Sequence, residues 1–417
     1  MDAEVLVVGA GLAGLRCAGE LQAAGVDVRV LESADAVGGR VRTDVVDGFR
    51  CDRGFQLLNP AYPAVRRDVD VAALGLRQFG AGALVRRDRG LVVLADPRRE
   101  PRLLLRTLRS GLLSPREEAA LARWLTAALL RPQRVLRGPD STLTGALDRA
   151  GITGALRREV LEPFLAGVLA DPEGSTSAAF ARLLLRSFAL GTPGVPEGGM
   201  QSLPDQLARP LGRRVETGVR VTAVRESGDG VRVSAGDREW RADTVVVAVP
   251  GEAVAELTPL PVVPTKSLTT WWFAADRAPA SLPLLALDGR RQGPVQHAAE
   301  LTAVAPSYAP PGRRLVQATS LTPEGQTTEA EVRDHLAVIY GVPTHRWELV
   351  VRHHVRHALP AQPPPLVARQ PVQLANRLFV AGDHRDTGSI QGALVSGTRA
   401  ARAVLRQVRR TSPAGPR

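Results

Sequence analysis

Three stretches predict an α/β chain with α+β character, built as two interleaved domains. Near the N-terminus an apolar run, Glu4-Val5-Leu6-Val7-Val8, meets a glycine-rich turn and then a helical pattern. At the far end, 376–383 reads as a strand ending on Gly382-Asp383, with a helical stretch from Ser389. Between them the periodicity is helical over 60–190 and strand-like again from 215. A Rossmann-type sheet domain holding both ends, with a mixed sheet-and-helix domain inserted, accounts for all three. The expected division is 1–65, 195–260 and 368–410 for the first domain and 66–194 and 261–367 for the second. A disordered tail is expected over 411–417. At 417 residues two domains are the natural expectation.

The first strand is a short β-branched run, as a strand buried on both faces requires. Gly9-Ala10-Gly11-Leu12-Ala13-Gly14 follows it, and Leu15, Ala18 and Leu21 continue at helical spacing until Gly25. A second strand over 26–31 ends on Glu32, with Ser33 beside it. This is G-x-G-x-x-G between strand and helix, with an acid about twenty positions on, which points to a bound dinucleotide. Gly9 permits the tight turn, Gly11 lets a pyrophosphate approach, and Gly14 lets helix and strand pack. Leu12 and Ala13 open the helix whose N–H groups meet the phosphates. Glu32 accepts from a ribose hydroxyl and repels a 2′-phosphate.

Ser33-Ala34-Asp35-Ala36-Val37-Gly38-Gly39-Arg40-Val41-Arg42-Thr43 comes next. Two glycines and two arginines suit a doubly charged diphosphate. Here the chain resembles the flavoprotein superfamily of monoamine and polyamine oxidases, protoporphyrinogen oxidase and phytoene desaturase, in a little-characterised bacterial and plant branch. The resemblance implies FAD, with Gly38, Gly39, Arg40 and Arg42 around its pyrophosphate. It extends to Val195-Pro196-Glu197-Gly198-Gly199-Met200 and to a strand over 215–224, where it implies that Val221 meets the adenine edge. It also covers Gly382-Asp383 and Ser389-Ile390-Gln391-Gly392. Gly382 and Asp383 are implied at the ribityl–phosphate arm, and the helix opening at Ser389, Ile390, Gln391 and Gly392 at the flavin N1–C2=O edge. Noncovalent attachment is expected, since no cysteine lies near Asp383.

The formal charge is +12, and 53 of 54 basic residues are arginine. No recognition motif supports nucleic-acid binding, so no nucleic-acid partner is expected. The segment 102–113 places Arg102, Arg106 and Arg109 on one helix face with leucines around them. It reads either as a solvated face of the second domain or as a peripheral membrane contact. The chain opens straight into a strand, and no apolar run reaches a membrane span, so a cytoplasmic or membrane-peripheral setting is expected. Cys17 and Cys51 are expected reduced. His353, His354 and His357 lack a matching carboxylate or cysteine pattern, and no metal is expected.

By the same resemblance Gly54 and Gln56 are implied to line the reaction chamber, and placement in a strand turn is the alternative. Lys266, the only lysine, begins an alternating strand; by resemblance it holds a water near flavin N5, and otherwise it is an exposed strand-end lysine. With His384 and Asp386 it is an expected proton carrier. Where amine oxidases carry an aromatic cage wall, this chain has Ser389 and Ile390. The expected activity is hydride transfer from a C–H bond of an apolar substrate, isoprenoid-, carotenoid- or tetrapyrrole-like, to flavin N5. The electron acceptor is expected to be O2 or a quinone. Amine oxidation releasing peroxide, redox-neutral polyene isomerisation and a structural flavin are the alternatives.

Overall fold

The structure is a computed structural model that describes residues 1–280 and 282–411. Of the tail expected over 411–417, Thr411 instead ends the last helix, and 412–417 lie outside the described residues. Its first sheet has seven strands. Ala3–Val8 runs parallel between Val28–Leu31 and Arg238–Val247, with Val7 opposite Val30 and Val246. Gly230–Ala235 and Ala223–Ser227 extend one edge antiparallel, and Leu378–Val380 adds a parallel strand on Arg238–Val247. Val5, Leu6 and Val7 are fully buried, which explains the uninterrupted apolar run.

Two helices, Leu12–Ala23 and Ile390–Thr411, pack on this sheet and against each other. A Cβ at Gly397 would run into the Ala13 carbonyl, so glycine sets their close approach. The strand expected over 215–224 is only Val215–Glu216, and the chain turns away before Ala223–Ser227. Gly218 N–H donates to Ala34 O at 2.8 Å and Val219 N–H to Glu32 O at 2.7 Å, bonds that hold this stretch against the first sheet.

The second sheet also has seven strands, in the order Glu348–Pro360, Thr265–Ala275, Arg314–Ser320, Val295–Glu300, Leu285–Asp288, Gly82–Arg87, Gly90–Ala95. The last two correct the expectation of an unbroken helical region over 60–190. Asp88-Arg89 turns the chain and Gly90 takes φ +125°, closing a hairpin whose strands lack clean alternation in sequence. The helices Pro115–Leu130, Leu143–Arg149, Glu162–Leu169 and Ala178–Leu190 belong to the same half of the chain. Ala178–Leu190 begins where Ser177 Oγ accepts from Phe180 N–H at 3.1 Å.

The single helix expected over 102–113 is instead a 3₁₀ turn, Pro101–Leu103, and a short helix, Leu104–Leu108. His353 and His354 are neighbours on one strand and so face opposite ways: His353 lies against Asp44, and His354 and His357 against Thr269 and Thr265. Among the described residues no helix is long and apolar enough to cross a membrane.

Candidate functional site

The glycine motifs at the two ends of the first βαβ unit stack on one another. Gly11 and Gly38 form an isolated parallel bridge, and Gly38 N–H donates to Ala10 O at 2.9 Å. Gly9, Gly38 and Gly39 all have φ between +59° and +120°, which only glycine adopts freely. A Cβ on Gly9 would lie 2.8 Å from Ala248 O, and one on Gly14 would strike the Gly9 carbonyl. A Cβ on Gly11 would meet no protein atom within 4 Å. Gly11 therefore faces open space while Gly9 and Gly14 are packed.

That space is a cavity of about 330 Å³. Gly9, Gly11, Leu12 and Ala13 line its floor, and Glu32 and Ser33 one end. Glu32 is buried and fixed, accepting from Ala10 N–H at 2.6 Å and Ala34 N–H at 2.8 Å. Gly38, Gly39 and Arg40 cover it, and Gly382, Asp383, Ser389 and Ile390 enter from the C-terminal end of the chain. Arg40 joins the two ends: it donates to Asp383 at 2.6 Å and to Ala358 O at 3.0 Å. Burial opposes the Arg40 charge, but the Asp383 carboxylate outweighs it and raises the pKa above its ordinary value. Ser389 Oγ accepts from Gly392 N–H at 3.1 Å and so caps the helix whose first turn opens on the cavity.

Five of the expected cofactor residues stand outside the lining. Gly14 serves packing. Arg42 is tied to Asp35 at 2.7 Å, and Val221 is buried in the core beside the first sheet. Gln391 accepts from Ala64 N–H at 2.8 Å, and Gly392 packs against the Thr387 carbonyl.

Beside this cavity lies a chamber of about 160 Å³. Gly54, Gln56, Arg40, Ser389 and Ile390 line it, and all but Gly54 line the cofactor cavity too. Its walls are Phe55, Tyr62, Phe164, Phe180 and Leu268, and no carboxylate lines it among the described residues. His297 is the one imidazole there. It is buried, its ring is 5.2 Å from Phe55, and neither nitrogen has a partner among the described residues. Burial pushes its pKa down to about 4, so it is neutral at physiological pH. A Cβ at Gly167 would collide with its ring, so glycine makes the space it occupies. A lone histidine in a strand carries no sequence signal, and this residue escapes sequence reasoning.

The three expected proton carriers line neither the cofactor cavity nor the chamber. Lys266 is bound to Asp171 at 3.1 Å and to Thr176 Oγ1 at 2.8 Å, held back at a register shift of its strand. His384 is buried with its ring over Gly382, and burial lowers its pKa to about 4. Asp386 lines a separate, arginine-rich cavity, and burial raises its pKa. Cys17 and Cys51 are buried and line neither space.

An open glycine floor, a fixed carboxylate at one end and a helix N-terminus at the other fit a flavin dinucleotide. The comparisons agree. A putrescine oxidase of Kocuria rosea is 43% identical over 79 residues, 19% of this chain and 16% of that protein. A putative flavin-containing monoamine oxidase, AofH, of Mycobacterium tuberculosis is 29% identical over 274 residues, 59% of this chain and 57% of that one. The chain thus spans less than two thirds of the curated relatives it matches. A solved structure of a putrescine oxidase double mutant superposes with TM-score 0.74 at 20% identity, covering 97% of this chain and 99% of that one. A putative protoporphyrinogen oxidase from Exiguobacterium sp. 255-15 gives 0.70 at 20% identity, covering 98% and 99%. The profile described as flavin containing amine oxidoreductase matches residues 12–405, and the chain belongs to that family, with FAD as its cofactor.

Proposed function

We propose that the protein is an FAD-dependent oxidoreductase acting on a C–H bond of an apolar, isoprenoid- or tetrapyrrole-like substrate. The observation that carries this reading is the chamber, whose largely aromatic and aliphatic wall holds no carboxylate for a cationic amine among the described residues. FAD supplies hydride acceptance at N5. The chain's own residues orient and dry the reacting carbon: Phe55, Tyr62, Phe164 and Phe180 enclose it. Neutral His297 is the group placed to take or return a proton at a ring nitrogen. Lys266, His384 and Asp386, which line neither space, are given no proton-transfer role in this reading. The acceptor is O2 or a quinone.

The division into 1–65, 195–260 and 368–410 against 66–194 and 261–367 belongs to the same proposal, and the membership of the two sheets supports it. So does peripheral membrane contact through 102–113, where Leu105 and Leu108 are 64% and 61% exposed beside exposed Arg102, Arg106 and Arg109. Amine oxidation with peroxide release is the second reading, favoured by the names of the relatives.

Anaerobic flavin absorbance decides between them. Bleaching by a lipid extract but not by an amine panel is the expected result. Bleaching by amines alone would overturn the apolar reading.

A further inference from the structure

A larger cavity adjoins the chamber, as a mouth to it, and takes no part in the chemistry above. It measures about 670 Å³ and is bounded by the helices Pro63–Asp68, Pro132–Arg137 and Ala178–Leu190 and by the C-terminal helix. Tyr62, Phe180, Leu184 and Ser389 line both this cavity and the chamber, and Ser389 lines the cofactor cavity as well. The two spaces are therefore neighbours, and the mouth meets the chamber on an apolar wall.

Its charge is one-sided. Arg67, Arg186, Arg369, Arg399 and Arg402 line it, against Asp386 alone. Arg67 is matched by Asp68 at 2.7 Å, and Arg399 approaches Asp386 at 3.5 Å. Arg186, Arg369 and Arg402 have no carboxylate within ion-pair distance among the described residues. Arg186 Nε is buried without a hydrogen-bond partner among the described residues. Burial and the neighbouring Arg369 hold the Arg399 pKa below its ordinary value in spite of Asp386, as expected of a cluster short of anions. The arginines converge on one concavity from three helices and, at Arg369, from the loop before Leu378, and an arginine fork matches a carboxylate or phosphate.

We propose that this cavity binds an anionic head group, carboxylate or phosphate, on the substrate whose apolar body enters the chamber. The inference rests on the apolar-substrate reading and narrows it to anionic amphiphiles. The arginines position the molecule; they do not touch the reacting bond. An amine head would meet repulsion at the mouth and no carboxylate within.

The test uses flavin-loaded protein and four eight-carbon probes: octanoate, octyl phosphate, octanol and octylamine. Binding is read by perturbation of the flavin absorbance and by calorimetry. Octanoate and octyl phosphate are expected to bind at least about tenfold tighter than octanol, with the advantage shrinking as salt is raised. In the Arg186→Gln/Arg369→Gln double variant both anions fall toward the octanol affinity, while octanol binding and the flavin spectrum are unchanged. Octanoate no tighter than octanol, or anion binding intact in the variant, overturns the inference and leaves the apolar reading standing. Inorganic phosphate binding as tightly as octyl phosphate also overturns it, since the site would then serve a free anion. Octylamine binding best overturns both.

Discussion

Gly11 and Gly14 are three residues apart, yet the structure assigns them opposite kinds of constraint. Alanine at 14 drives a methyl into the Gly9 carbonyl and within 3.2 Å of the Ala248 Cβ. Neither neighbour can rotate away, so the helix Leu12–Ala23 must lift off the first strand. Overpacking of this kind costs about 1–3 kcal/mol, and the helix propensity gained by losing a glycine returns only about 1. At Gly11 the backbone is already in a region open to any residue, φ −72° and ψ 176°. The added methyl meets no protein atom. Losing a glycine cap costs up to about 1 kcal/mol and stiffening the unfolded chain returns about 0.4–1, so stability stays near wild type. The methyl does occupy the path of the pyrophosphate. Losing two charge-assisted hydrogen bonds, about 3 kcal/mol together, weakens flavin binding on the order of a hundredfold. Gly19, in the same helix and also open, is the control: Gly19→Ala leaves flavin binding alone and stabilises by up to about 1 kcal/mol. The assay is the flavin-to-protein absorbance ratio after gel filtration, with the urea midpoint of stripped protein measured in parallel. Full flavin retention in Gly11→Ala, or an unchanged midpoint in Gly14→Ala, would refute the placement of the cradle.

Acid should destabilise the fold through His297 and His384. Both have folded pKa values near 4 against an ordinary 6.5. The unfolded chain therefore binds the protons, and the stability is present above pH ~6.5 and lost as pH falls toward 4, by about 3 kcal/mol at most per residue. Asp52, buried and raised to about 6, works the other way over the same window, because its folded form keeps a proton the unfolded chain releases. His297→Leu should flatten the acid limb of the urea midpoint, and an unchanged limb would show that the ring is not buried neutral. Asp383→Asn leaves the Arg40 charge without its partner. It should lower the thermal midpoint and loosen flavin together, by about 3 kcal/mol in total; wild-type values of both would remove the bridge between the two ends of the chain. Leu105→Asp/Leu108→Asp should abolish sedimentation with anionic vesicles without altering flavin content, and equal sedimentation of variant and wild type would exclude this face from membrane contact.

The cradle was legible because its determinants are local. Strand, turn, helix and acid fall within Ala3–Glu32, and each is specified by residue types whose backbone role is nearly unique. What joins them to the rest was not. The Arg40–Asp383 bridge spans most of the chain, and nothing in either motif names its partner. The hairpin Gly82–Ala95 was hidden because its first strand ends on two consecutive arginines, Arg86 and Arg87, and its second is apolar throughout, so neither shows the alternation that marks a strand. Around Val221 the β-rich run 215–224 reads as one strand, but the bonds made by Gly218 and Val219 to the segment after Val28–Leu31 turn the backbone away first. The chamber left still less trace. Phe55, Phe164, Leu268 and His297 come from separate elements, and each looks like an ordinary core residue until the fold brings them to one wall.

The turn between Leu378–Val380 and the C-terminal helix carries more of the specificity than its length suggests. Ser389 borders the cofactor cavity, the chamber and the arginine-lined mouth. Ile390 follows on the first two. A side chain there touches the cofactor face and the path to it at once. An aromatic ring, with two or three times the area of Ser389, would wall the chamber off from the mouth while giving a small cation a π-face. Serine instead keeps that corner low and spends its hydroxyl on capping the helix. The start of the helix that closes the cofactor cradle thereby also borders the cavity lined by Arg186 and Arg399. Most of the glycines that line the cofactor cavity, Gly9, Gly11, Gly38 and Gly39, lie in the N-terminal motifs, whereas the arginines of the mouth come from elsewhere in the chain, so a substitution among those arginines leaves the glycine floor untouched.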